Sequence, residues 1–404
     1  MKKLLCLVVA VMLLFSFVLV GCGAKTTTTT QESAKPTEEA TKAPEATKAP
    51  AADANKPMVL KESPFFQGKG LPAVADRMPK EPKLTNEMPA NQLSYKIGKY
   101  GGTLRTVRMD PIWDGTVWCI ATEPLLNSPG RIGDEITPNV VKSYEVSADQ
   151  KEFTFVLRDG MKWSDGQPLT TDDVAFAVND VLMNKELTPI FPTWLCAAGK
   201  QGNTPMALEV VDKITFKIKF DQPYAGFPLQ LTTGDYPDLI KPAHYLKQFH
   251  KKYADAKELE KKIADASFKP NEWFNLFNKH NFGGWDLGRP EMIDLPVLYP
   301  YHHVKDGDVR IFERNPYYFK IDSEGNQLPY IDRIQSTYVQ NFDIASIKIF
   351  AGEVDTSYQT VGVNQIALYK QNEAKGNYKL YTHTMIHVTW ADILLNMTYK
   401  DANW

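Results

Sequence analysis

Eight tryptophans and 18 tyrosines bring the aromatic share of this 404-residue chain to 11%. Five of the tryptophans stand outside strong core patterns. Trp113 and Trp118 lie in the Pro/Gly-broken stretch 110–123, Trp194 in the irregular segment 189–196, Trp285 after Gly283-Gly284, and Trp390 ahead of the apolar run Ile393 to Met397. An indole offers a flat apolar face on which the C–H side of a sugar ring stacks, whereas a peptide is held by backbone hydrogen bonds and side-chain pockets. Glu123 and Asn396 are the polar residues placed to join them at a cleft. Each of these tryptophans also fits an ordinary core or surface position.

Covalent chemistry has less support. His302-His303 is the one adjacent histidine pair, and neighbours on a strand point to opposite faces, which makes them poor co-ligands for a metal. No HExxH, GxSxG or phosphate-loop pattern is present,. Asp172-Asp173 reads as acids at a helix start, and Glu123 alone does not make the two-carboxylate arrangement of a glycosidase. No catalytic residue, metal ligand or cofactor is expected. Cys119 and Cys196 either pair, as an exported protein permits, or stay as two thiols.

Strands and helices alternate along the part that must position these residues. Thr103 to Arg108 has strand character. Phe153, Phe155 and Leu157 alternate with polar or smaller neighbours, as do Ile214, Phe216, Ile218 and Phe220, so both stretches read as half-buried strands,. Thr171-Asp172-Asp173 opens a helix carrying Val174, Val178, Val181 and Leu182. Residues 250–268 read as a charged helix with Tyr253, Leu259 and Ile263 inward, and 271–280 as a second, more aromatic one. Ile334 to Gln340 reads as a strand. A helix capped by Asp343 then runs to Ala351 and ends at Gly352,. The fold class is mixed α/β.

The first 57 residues are of another kind. Lys2-Lys3 precede an apolar run from Leu4 to Val20, followed by Gly21-Cys22. The run is slightly short of the ~20 apolar residues a membrane span needs, and the small residue before Cys22 marks a cleavage site. Leu19-Val20-Gly21-Cys22 resembles the lipobox of bacterial lipoproteins, which implies that Cys22 carries diacylglycerol, with palmitate-type chains, on the extracytoplasmic face of the cell membrane. Two or three chains anchor a protein stably. Residues 23–57 repeat Thr-Lys-Ala-Pro and lack Leu, Ile and aromatics after Ala24. Such a segment stays disordered and reaches roughly 30 Å. Residues 58–99, with Pro64, Pro72, Pro79, Pro82 and Pro89, read as an extended arm,. The near-neutral net charge of −2 argues against nucleic-acid binding,.

Three segments carry a further resemblance. Val141 to Ser147 with Phe153 to Gly166 and Pro168 to Val174 is the first. Glu313-Arg314-Asn315-Pro316-Tyr317-Tyr318-Phe319 with Leu328-Pro329-Tyr330-Ile331-Asp332 is the second, and Phe350 to Asp355 the third. In this order, after Gly101-Gly102-Thr103-Leu104, they resemble the family 5 extracellular solute-binding proteins, the oligopeptide/dipeptide/nickel-binding group of ABC importers. The resemblance implies a two-lobed periplasmic-binding-protein-like fold, with lobe I and its subdomain over 100–340 and lobe II beginning over 341–404. The second lobe would be incomplete in this chain, as in a product truncated at its C-terminus. It implies a non-catalytic monomer that closes two lobes around an oligosaccharide or oligopeptide and delivers it to a membrane permease. The insertion Lys320 to Gln327 is similar to that of larger members, some of which take oligosaccharides. Leu295 to Tyr301 departs from the Gly-rich turn that often stands before Glu313. A surface glycoside hydrolase and a non-catalytic surface scaffold are the alternative readings.

Overall fold

The computed structural model describes residues 58–85, 96–128, 135–283, 286–358 and 360–382, all within the unit Asp53–Trp404. The described part of the arm is pinned by its few bulky and charged residues. Phe66 is buried, and Arg77, fully buried, donates to Pro72 O at 2.9 Å, to Pro316 O and to Glu62. Lys61 N donates to Gly325 O at 2.9 Å, and Gln327 N to Lys61 O at 2.8 Å. The first described stretch of the arm includes a two-residue strand, β1 (Lys83–Leu84).

The chain then forms β2 (Thr103–Arg108), helix α1 (Gly115–Ala121), the short strands β3 (Leu126–Asn127) and β4 (Thr137–Pro138), and the longer β5 (Val141–Val146) and β6 (Glu152–Leu157). Helix α2 (Thr171–Ala175) continues through Phe176–Leu182 with the wider π turn. Next come β7 (Ala207–Val210), β8 (Thr215–Lys219), α3 (Phe227–Thr233), α4 (Ala256–Asp265) and α5 (Trp273–His280). The described chain closes with β9 (Tyr301–Lys305), β10 (Val309–Arg314), β11 (Lys320–Ile321), β12 (Arg333–Tyr338), α6 (Phe342–Phe350) and α7 (Ile366–Gly376).

Two four-stranded sheets organise these elements, in the orders β2-β12-β10-β9 and β5-β6-β8-β7. In the first, β2 and β12 are parallel and the other pairs antiparallel. The second is antiparallel throughout. Strand β1 adds a parallel pair with β11. The alternation in β6 and β8 sends Phe153, Phe155, Phe216 and Ile218 into a core that also holds Val117, Trp163, Phe227, Tyr236, Tyr299, Phe312 and Ile334. Trp163 is fully buried and its Nε1 donates to Asp173 at 3.3 Å. A second cluster joins α2, α4 and α5, and a third joins Val107 and Val339 to Ala345 and Ile349 of α6 and Tyr369 of α7.

Local chemistry moves several boundaries. Thr170, not Thr171, caps α2, in a capping box with Asp173,. Asn341, not Asp343, caps α6, accepting from Ile344 N at 3.0 Å. Gly352, at φ +73°, follows that helix in the left-handed region that a glycine adopts freely,. Helix α4 starts only after Asp255, whose carboxylate accepts from Lys257 N and Glu258 N. That leaves Tyr253 outside it and half exposed, while Leu259 and Ile263 are buried as expected. The run Ile393 to Met397 lies outside the described residues.

Candidate binding site

Strand β2 delivers the chain into the loop Asp110–Asp114, and three side chains fix that loop. Asp110 accepts from Ile112 N at 2.6 Å and Trp113 N at 2.8 Å. Arg310, 1% exposed on β10, donates to Ile112 O at 3.0 Å and to Pro111 O, and its Nε meets Asp306 at 2.7 Å. Asp114, fully buried, caps α1 through Val117 N at 3.0 Å and accepts from the Ser336 hydroxyl of β12. Burial raises the Asp114 pKa, and the Ser336 and Val117 donors oppose the rise. Trp113 is therefore carried, half buried, by a preorganised loop on a sheet end, and Trp118 follows on α1, also half buried.

Trp118 lines an open cavity of about 180 Å³ with Thr122, Pro124, Thr232, Thr233, Gly234, Asp235 and Asp238. Trp194 stacks on Phe227, with ring centroids 6.2 Å apart and planes 19° from parallel. It lines an adjoining recess of about 10 Å³ that shares Gly234, Asp235 and Asp238 with the larger cavity. A void of that size holds about one water. The structure thus brings Trp118 and Trp194 to one segment, Gly234–Asp238, from residues 76 apart in sequence.

Glu123 is placed differently from the cleft-facing carboxylate expected of it. It is 3% exposed. Its carboxylate accepts from Asn139 at 2.8 Å, from the Tyr318 hydroxyl, and from Lys320 at 2.8 and 3.0 Å. A carboxylate with that set of donors anchors the β3–β4 and β11 segments and has little capacity left for a solute. Trp285, Trp390, Asn396 and the lipidation residue Cys22 lie outside the described residues. Cys119 is exposed and Cys196 buried, and both are free thiols. His303 is buried between Arg289 O (3.0 Å) and Lys305 O (2.9 Å). Among the described residues no group of three or more His, Cys, Asp and Glu side chains is placed to hold a metal ion.

The acids of the cavity were not singled out by sequence. Asp235 accepts from Tyr236 N at 2.8 Å, Glu123 N at 3.2 Å and the Tyr299 hydroxyl at 2.6 Å. Burial nonetheless pushes its carboxyl up to about 7, with Asp238 adding to the rise. Burial raises Asp238 too, against the pull of Lys241, whose ammonium is itself lowered to about 8 by burial. Tyr299 comes from the stretch that departs from the family's Gly-rich turn, and here that stretch packs into the core. The one signal in sequence was the turn-rich Gly234-Asp235-Tyr236-Pro237-Asp238, which says loop but not which partners it meets.

Comparison with known proteins places this geometry. A family-wide sequence profile described as bacterial extracellular solute-binding proteins, family 5 middle, matches residues 135–393. The chain is 30% identical over 314 residues to the periplasmic alpha-galactoside-binding protein of Rhizobium meliloti, covering 72% of this chain and 40% of that protein. It is 28% identical over 285 residues to a probable ABC transporter-binding protein of Deinococcus radiodurans, covering 66% and 42%. Among solved structures, an oligopeptide-binding protein OppA superposes with a TM-score of 0.68 at 33% identity, covering 80% of this chain and 49% of that one. The periplasmic binding protein MelB of Agrobacterium fabrum C58, in complex with stachyose, gives 0.60 at 25% identity, covering 79% and 46%. The chain spans less than half the length of each of these four proteins.

Proposed function

The chain belongs to the bacterial extracellular solute-binding proteins of family 5, and from that premise we propose that it is a non-catalytic receptor which captures a short oligosaccharide for an ABC importer. Its fold is the α/β fold of the periplasmic binding proteins. In this reading Cys22 carries the lipid anchor, residues 23–57 are the tether, and a membrane permease receives the solute. Binding shifts an open–closed equilibrium because the closed form holds the solute better.

The observation that carries the reading is the loop Asp110–Asp114. Arg310 and Asp110 fix its backbone, Asp114 fixes the start of α1, and the result presents Trp113 and Trp118 on a rigid support. Preorganised aromatics suit a solute held by stacking, since little ordering cost remains to be met on binding. The alpha-galactoside and stachyose ligands named for two relatives support a saccharide. The similarity to OppA keeps an oligopeptide as the competing solute.

The test is thermal unfolding of the purified chain with raffinose, stachyose and tetra-alanine, followed by chromatography of the solute. Stabilisation by a sugar recovered intact is the expected result. Stabilisation by tetra-alanine alone replaces the saccharide with a peptide, and shortened sugar products replace the receptor with a hydrolase.

A further inference from the structure

The geometry points to the cavity beside Trp118 as a subsite for one neutral, polyhydroxylated ring, held by Asp238 as hydrogen-bond acceptor against the indole. This deepens the saccharide-receptor reading and rests on it.

Size comes first. A single water needs roughly 10–15 Å³ of such space. The recess beside Trp194 and the void lined by Tyr236, Lys241 and Tyr299 each offer about 10 Å³. The cavity beside Trp118 offers about 180 Å³, so it admits a ring where the other two admit a solvent molecule.

The lining comes second. Trp118 and Pro124 give apolar wall, while Thr122, Thr232, Thr233, Asp235 and Asp238 give polar wall. Thr232 and Thr233 already donate their protons, to Leu229 O at 2.8 Å and Gln230 O at 3.1 Å. Their oxygens face any guest only as acceptors. The Asp238 carboxylate, when ionised, is likewise acceptor-only, whereas the Asp235 carboxyl is already engaged by three protein donors. A guest with donors on one edge and an apolar face on the other matches these acceptors and the indole. A sugar ring does both, with its hydroxyls and its C–H face. A peptide segment brings a carbonyl for every N–H, and each carbonyl set against these acceptors would lose its hydrogen bond.

An ammonium guest would also supply donors. The buried Lys241 ammonium already interacts with both carboxylates, so the acid pair is partly balanced from inside the protein. That favours a neutral guest over a cation. Gly234 belongs to the design as well, since a Cβ there would sit 3.0 Å from Asp238 Oδ2 and displace it.

Calorimetric titration of the 404-residue chain and its Asp238→Asn and Trp118→Leu variants with stachyose and with tetra-alanine tests the assignment, with unfolding midpoints of the free proteins as the folding control. Asp238→Asn turns one acceptor into a donor at the same volume. The expected result is stachyose binding at least tenfold weaker in both variants, at unfolding midpoints close to the parent's. Equal stachyose affinity in parent and variants overturns the subsite and leaves the saccharide receptor standing. Binding of tetra-alanine without stachyose, or of neither, overturns both.

Discussion

Lys320 Nζ lies 2.8 Å from one carboxylate oxygen of Glu123 and 3.0 Å from the other, joining residues 197 apart in sequence at a place where the side chain of Glu123 is 4% exposed and that of Lys320 18%. Tyr318 and Asn139 complete the shell. The pair ties β11 to the end of α1 and is a structural anchor.

Truncating Glu123 to Ala strands the Lys320 charge in a half-dry site, and the expected loss of stability is about 3 kcal/mol. Replacing both, with Glu123→Leu and Lys320→Met, costs less than the sum of the single changes, because neither charge is left alone. Urea denaturation of the three variants checks this, and additive losses would refute the coupling.

Asp235 gives a sign to the pH dependence. Its carboxyl moves from 3.8 in the ordinary state to about 7 in the fold, chiefly through burial, with the Tyr299, Glu123 and Tyr236 donors opposing the rise and Asp238 adding to it. The folded form holds the proton more tightly, so this contribution is complete below about 3.8 and is lost as pH rises through about 7,. Lys241 acts oppositely. Its ammonium falls from 10.5 to about 8 on burial, so between those values the unfolded chain binds more protons and stability climbs with pH. Unfolding midpoints measured across this range should show Asp235→Asn flattening the acid-side decline and Lys241→Met removing the alkaline-side rise.

Arg310 should act on the solute without touching it. Arg310→Ala removes the fork that holds Pro111 O, Ile112 O and Asp306 and should cost about 3 kcal/mol. Arg310→Lys keeps the charge but not the fork. The expected outcome is a more stable protein than Arg310→Ala that still binds stachyose more weakly than the parent, with an altered near-ultraviolet dichroism from Trp113. Parent-like affinity in Arg310→Lys would remove the positioning role.

Cys22 has a direct readout. Intact-mass analysis of the membrane fraction should find a chain beginning at Cys22 and carrying diacylglycerol, and Cys22→Ser should lose that mass and the membrane association. An unacylated amino terminus still bearing residues 1–21 would disprove the anchor.

What sequence conveys here follows the range of the interaction. Thr103–Arg108 was legible to the residue, and β6 and β8 nearly so, because alternation of side chains is a local signal of a half-buried strand,. Caps slipped by one or two positions, since Thr170 and Thr171, or Asn341 and Asp343, are all competent and only backbone geometry chooses. Glu123 was misjudged because its role depends on Lys320 and Asn139. Asp235 was missed because Tyr299, 64 positions away, is what gives it meaning. Trp118 was legible as a candidate, but its cavity exists only once α3 and the Gly234–Asp238 turn pack beside it.

The parallel pairing of β2 with β12 sets a timetable for the newborn polypeptide. Thr103 finds Arg333 as its partner and Arg108 finds Tyr338, so the central sheet has no complete edge until more than two hundred further residues have emerged. Contacts so distant along the chain close slowly, after the loop between them has lost its freedom. The antiparallel β5–β8 sheet, made of near neighbours, is free to condense first and wait. A pairing between strands so far apart in sequence keeps this sheet from closing until most of the intervening chain has been made,.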